Sequence, residues 1–108
     1  MLNTLTRSNY DVLNLDISDP DIDVVTSNVS ILNHIEMFNA IEEFKPDFII
    51  HLAGGTATSF HKDPYNFLHT YIKGTKNIVD ISEKLNIKKL IFTSSDHVYI
   101  GYDEERTV

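Results

Sequence analysis

Residues 45–55 read Lys45-Pro46-Asp47-Phe48-Ile49-Ile50-His51-Leu52-Ala53-Gly54-Gly55, and the fold turns on them. Lys45-Pro46 is a helix stop, because the residue before proline is pushed out of the α region. Phe48, Ile49, Ile50 and Leu52 form a nearly continuous run of apolar β-formers, which predicts a strand covered on both faces in a parallel sheet. Gly54 and Gly55 follow directly, where the backbone can turn sharply or admit a ligand closely. Ligands of open α/β sheets sit outside the carboxyl ends of the strands, so this strand end is the first place to look for function.

Upstream, Met1 to Arg7 has Leu2 and Leu5 three apart, which suits the last turn or two of a helix. Asn9 to Ile17 predicts a strand ending at Asp16 and the turn-forming Ser18-Asp19-Pro20-Asp21. Ile22 to Thr26 supplies a second β-branched run, closed by Ser27 and Asn28. Ser30 is the expected cap of a helix whose apolar stripe is Ile31, Leu32, Ile35, Phe38, Ile41 and Phe44.

Downstream, Thr56 to Lys62 reads as a polar loop. Asp63-Pro64 opens a long helix running to about Asn86, marked by Phe67, Tyr71, Ile72, Ile78, Val79, Ile81 and Leu85. Gly74 within it costs about 1 kcal/mol relative to alanine, which close approach to a neighbouring strand would offset. Lys88 to Ser94 is a further β-run, leading into Ser94-Ser95-Asp96, and the tail from Gly101 is polar. Strands alternating with helices give right-handed parallel crossovers and an α/β class.

Composition narrows the function. The 108 residues carry 16 acidic and 9 basic side chains, a net charge of −7, which argues against nucleic acid and anionic membrane surfaces. The sequence has no membrane-length apolar run and no signal-like N-terminus. It has no cysteine, so thiolate chemistry is excluded and a reduced, cytoplasmic setting fits. The five histidines (34, 51, 61, 69 and 97) lack metal-ligand spacing, and no metal is expected.

Five pieces then fall in a familiar order: Pro46 to Gly54, Asp63-Pro64, Gly74-Thr75-Lys76-Asn77, Ile91-Phe92-Thr93-Ser94-Ser95 and Val98-Tyr99. Together they resemble the NAD-binding half of the extended short-chain dehydrogenase/reductases, the NAD-dependent nucleotide-sugar epimerases and dehydratases. The resemblance runs from about Asn9 to Gly101. It implies a Rossmann-like parallel sheet with flanking helices, NAD as cofactor, a nucleotide-sugar substrate in intact relatives, and a possible homodimer.

By the same resemblance, Asp16 would hold the adenosine ribose hydroxyls and favour NAD over NADP. Asn28 and Val29 would touch adenine, with Asn28 standing where Asp is usual. Leu52, Ala53 and Gly54 would form the loop over pyrophosphate and ribose, and Thr70 would contact the cofactor. Ser95 would bond the substrate's reacting oxygen, and Asp96 would help expel water in a dehydratase. His97 replaces the glutamate of the Thr-Asp-Glu-Val-Tyr pattern, and Tyr71 replaces the usual Asn of N-V-x-G-T.

Two parts of the family pattern are absent. The acidic ribose ligand normally follows the phosphate-binding glycines by ~20 residues, yet Asp16 has only fifteen residues before it. The G-x-x-G-x-x-G turn and the first βα unit would therefore lie upstream of Met1. The catalytic Y-x-x-x-K is missing too; Tyr102 and Arg106 mimic its spacing but stand too close behind Ser95 and lack the lysine. Residues 1–108 are thus expected to be a single partial NAD(P)-binding Rossmann-like domain: a truncated product, a mis-called start or a degenerate relative. With strand order 3-2-1-4-5-6 the first strand is central. Its loss would leave two strand pairs, either closing on each other or separated by a gap that another segment fills.

Plainer readings stand beside these. Asp16 serves equally as a strand-end turn residue, and Ser94-Ser95 as loop polars doing no chemistry in this chain. At the level of function, the alternatives are a non-catalytic protein-interaction module that keeps the α/β sheet without cofactor, and an unrelated small doubly wound domain.

Overall fold

The long helix begins where two end signals coincide. Asp63 accepts a hydrogen bond from the Asn66 amide at 3.0 Å, and Pro64 occupies the first helical position. The computed structural model describes residues 2–18, 23–55 and 57–95. In chain order its elements are α1 (Leu2–Arg7), β1 (Leu13–Asp16), β2 (Val25–Asn28), α2 (His34–Phe44), β3 (Phe48–His51), α3 (Ala57–Lys62), α4 (Pro64–Lys84) and β4 (Lys89–Phe92).

β1 pairs with β2 in parallel, Leu13 opposite Val25 through Asp16 opposite Asn28. β3 pairs with β4 in parallel, Phe48 opposite Lys89 through His51 opposite Phe92. These are two separate two-stranded sheets. Neither closure of one pair on the other nor a bridging segment occurs among the described residues.

One apolar cluster joins them. Val29, Met37 and Ile41 meet Ile78 and Ile81 of α4, and Ile81 is wholly buried. Leu15 of β1, Ile49 of β3 and Leu90 of β4 pack against this cluster. Side chains alternate along a strand, so Phe48 and Ile91 lie on the opposite sheet face, where they are 53% and 43% exposed. The expectation of a strand covered on both faces is therefore corrected: among the described residues only the helix side is covered.

Several local expectations also change. Ser30 does not cap α2; its hydroxyl accepts from the Leu32 amide, and Asn33 caps instead, accepting from Glu36 at 3.2 Å. Both residue types make good caps. The later start leaves Ile31 in the loop, where it packs on α4, and turns Ile35 outward at 71% exposure. Met37 takes the buried place on the stripe. Ser27 and Asn28 belong to β2 rather than ending it, while Ile22 lies outside the described residues. Residues Ala57–Lys62, expected as loop, form the short helix α3. Ile72 and Val79, counted on the buried stripe of α4, are exposed.

The helix stop at Lys45-Pro46 takes the form of a left-handed residue. Lys45 has φ 55° and donates its amide to the Ile41 carbonyl at 2.9 Å. α4 ends similarly, with Asn86 at φ 53°, a conformation that asparagine tolerates well.

Gly74 makes its close approach to a loop rather than a strand. A Cβ there would stand 2.8 Å from Ile31 Cγ2. One turn along, buried Asn77 donates to the Ile31 carbonyl at 2.9 Å and pins that loop in place. Gly74→Ala should therefore destabilise the chain by about 1–3 kcal/mol through overpacking, outweighing a propensity gain of about 1 kcal/mol. The urea midpoint checks this, and Ile31→Ala in the same background should recover part of the loss.

Candidate active site

The carboxyl ends of β3 and β4 lie side by side, because the register sets His51 opposite Phe92. Beyond them run Leu52 to Gly55 and Thr93 to Ser95. Thr93 is tied to the strand end, its amide and hydroxyl both donating to the His51 carbonyl at 3.4 and 3.2 Å. Leu52, Ala53, Phe92, Thr93, Ser94 and Ser95, with Tyr71 from α4, line a cleft of about 260 Å³. A slightly larger hollow of about 320 Å³ lies against α2 and is lined by Leu13, Ser27, Ala40, Glu43 and Phe44. It includes none of the residues expected to carry function.

α4 covers the glycine pair with aromatic rings. The Tyr71 hydroxyl donates to the Gly55 carbonyl at 3.0 Å. A Cβ on Gly54 would collide with the Tyr71 phenol, and one on Gly55 would come within 2.9 Å of the Phe67 ring. Phe67 packs on Tyr71 at 4.6 Å and on Phe60 of α3 at 5.4 Å between centroids. The glycines thus leave room for the protein's own aromatics, which stand where their side chains would be.

His51 ends β3 and is buried next to the cleft-lining Leu52 and Phe92. It is 5% exposed, its Nε2 lies 3.0 Å from the Thr75 hydroxyl, and its ring meets Phe92 at 5.3 Å. Burial holds its pKa below the ordinary value of 6.5, because a charged imidazole loses water there.

On the other sheet, Asp16 and Asn28 stand opposite each other at the carboxyl ends of β1 and β2. One Asp16 oxygen, Oδ1, accepts from the Ser18 amide at 3.3 Å. Val29 is buried in the cluster, so only its backbone reaches the strand-end rim. Thr70 is half-buried on α4 beside Tyr71. Asp96 lies outside the described residues.

The model of the NAD dependent epimerase/dehydratase family matches residues 1–107. The chain belongs to that family. Among solved structures it is similar to UDP-glucose 4-epimerase from Bifidobacterium longum in complex with NAD+ and UDP, at 27% identity and a TM-score of 0.79. That match covers 90% of this chain and 33% of the other. UDP-glucose-4-epimerase from Stenotrophomonas maltophila, with bound NAD and formylated UDP-arabinopyranose, shares the fold at 20% identity and a TM-score of 0.83. There the match covers 96% of this chain and 35% of the other. The chain spans about a third of the length of these structures. A comparison with curated proteins found no match.

Membership makes NAD the cofactor to test against these residues. A carboxylate at Asp16 is a fitting acceptor for ribose hydroxyls, and the cleft at Leu52, Ala53 and Ser95 combines an apolar wall with hydroxyls. Among the described residues no glycine turn leads from a strand into a helix N-terminus at the ends of β1 or β2. At the end of β3 the glycine pair packs against Tyr71 and Phe67.

Sequence reasoning missed Tyr71 and Phe67 as the cover of the loop, and the buried contact of His51 with Thr75. Their signal was present: aromatics at 67 and 71, four apart on a helix, follow a glycine pair that needs covering.

With its pKa lowered in the folded state, His51 favours the neutral ring. Its contribution is complete above the unfolded value of 6.5 and is lost as pH falls through the folded value. Urea denaturation from pH 7.5 to 5 should show a midpoint falling on acidification. His51→Gln should flatten that slope, and an unchanged slope would remove His51 as its source.

Proposed function

We propose that the chain is a partial dinucleotide-binding domain of an NAD-dependent nucleotide-sugar epimerase or dehydratase, and that it does not turn over substrate by itself. The observation that carries this reading is the strand-end placement. Leu52, Ala53 and Ser95 share one cleft beyond β3 and β4, and Asp16 faces Asn28 beyond β1 and β2.

The proposed roles follow from chemistry. Asp16 accepts from the adenosine ribose hydroxyls, and Asn28 bonds the adenine edge, with the Val29 backbone beside it. Leu52, Ala53, Gly54 and Thr70 border the cofactor, Ser95 holds the oxygen of the substrate, and Asp96 assists loss of water in a dehydratase. NAD, when bound, supplies the hydride acceptor and donor. The proposed setting is the cytoplasm, consistent with a cysteine-free chain and with a described portion in which no helix is long and apolar enough to cross a membrane.

A homodimer is part of the same proposal. Tyr65, Leu68, Ile72 and Val79 stand exposed on α4 at spacings of three, four and seven, a stripe suited to a second helix. The same stripe supports the second reading, an interaction module that has dropped its cofactor.

Calorimetric titration with NAD separates the two. Binding weaker than about 0.1 mM is expected of these residues, since among the described ones no glycine turn leads into a helix N-terminus at the ends of β1 or β2, and Asp16→Ala should weaken it further by about tenfold. No heat at millimolar NAD would reject the cofactor reading in favour of the interaction module. Epimerisation of UDP-glucose by the chain alone would reject the claim that it lacks turnover.

A further inference from the structure

Three ties converge on the last residue of β3. The His51 carbonyl accepts from both the amide and the hydroxyl of Thr93, at 3.4 and 3.2 Å. Its imidazole Nε2 stands 3.0 Å from the Thr75 hydroxyl on α4. The ring also packs on Phe92 at 5.3 Å between centroids, tilted by 47°. Leu52 follows His51 in the chain, and Tyr71 lies one turn before Thr75 on the same helix face. Leu52, Tyr71, Phe92 and Thr93 are walls of the cleft that Ser94 and Ser95 also line. Walls from β3, β4 and α4 therefore reach back to one buried side chain.

We propose that His51 is a positioning residue with a proton switch: its uncharged ring, seated between Thr75 and Phe92, holds residues 93–95 against the end of β3, and gaining a proton releases them. The cleft is then assembled at neutral pH and loosened in mild acid.

The chemistry of the seat favours this. The ring is 5% exposed, so a charge on it loses most of its hydration. A threonine hydroxyl donates or accepts, so it satisfies Nε2 of the neutral ring in either tautomer, but it brings no negative charge to balance a protonated one. Burial holds the pKa below 6.5, so the ring is uncharged above the folded value and gains its proton as pH falls through it. Moving outward regains hydration and takes the ring off Thr75 and Phe92 together.

The titratable groups on the elements packed around His51 are engaged elsewhere or stand in water. On α4, Tyr71 bonds the Gly55 carbonyl, Lys76 pairs with Asp80 at 2.6 Å, and Lys73 and His69 are exposed. Lys89 begins β4 opposite Phe48, at the far end of the strand pair, and Asp47 before β3 pairs with Lys88. His34 lies on α2 and His61 on α3. Histidine is the side chain whose charge ordinarily changes between pH 5 and 8.

The test is NMR on the full 108-residue chain without ligand. Ring carbon signals report protonation of each histidine. Amide exchange, compared with the unstructured rate at each pH, reports the segment. From pH 7.5 to 5, protection at Thr93 should fall about tenfold further than at buried Ile81, whose exchange requires the core to open. The midpoint of that fall should lie below 6.5 and coincide with the titration of His51. His51→Gln, which keeps a hydrogen-bonding group without a titrating one, should retain protection at Thr93 and lose its pH dependence. Thr75→Val, similar in shape, should lower that protection even at pH 7.5. Protection at Thr93 that is flat with pH, that falls only in step with Ile81, or whose midpoint follows another histidine would overturn the proposal. The coincidence of midpoints is read on the unaltered chain and so decides without either variant. The switch would regulate the cleft assigned above to cofactor and substrate, and rests on that reading for its role; the test contains no NAD, so the two fail separately.

Discussion

Burial of Ile81 against Val29, Met37, Ile41 and Ile78 is the contact on which both halves of the sheet layer depend. Among the described residues no hydrogen-bonded ladder connects the two strand pairs, and side chains from α2 and α4 join them. Apolar burial is non-directional and proportional to area, so a small cluster can hold strands in place without bonding them. The stabilisation is correspondingly modest. Five buried hydrophobics among the described residues form the core, while Phe48, Ile72, Ile91 and Phe92 are exposed.

Function is constrained by the same economy. The loop after β3 carries a glycine pair, and Tyr71 and Phe67 stand where side chains on it would be. The Tyr71 hydroxyl bonds the loop carbonyl at Gly55. Asp16 ends β1, and Ser95 lines the cleft beyond β3 and β4.

Much of this was legible in the chain itself. Asp63-Pro64 announced the start of α4, Lys45-Pro46 marked the end of α2, and the apolar runs located all four strands to within a few residues. The expectation of two strand pairs followed from counting residues before Asp16. Local chemistry failed where two residues offered the same service. Ser30 and Asn33 both cap well, and the choice fell to Asn33 because Ile31 packs against Gly74, a contact 43 residues away in sequence. α3 was hidden because six residues hold too little periodicity. The cover over Gly54 was hidden because no local pattern reports which ring reaches it.

Truncating the buried centre tests the account most directly. Ile81→Ala should cost about 2–5 kcal/mol, as large-to-small changes in packed cores do. If one cluster holds both strand pairs, NMR signals of β1–β2 and β3–β4 should disappear together at the same, lower urea concentration. Persistence of either pair after the other has melted would contradict it.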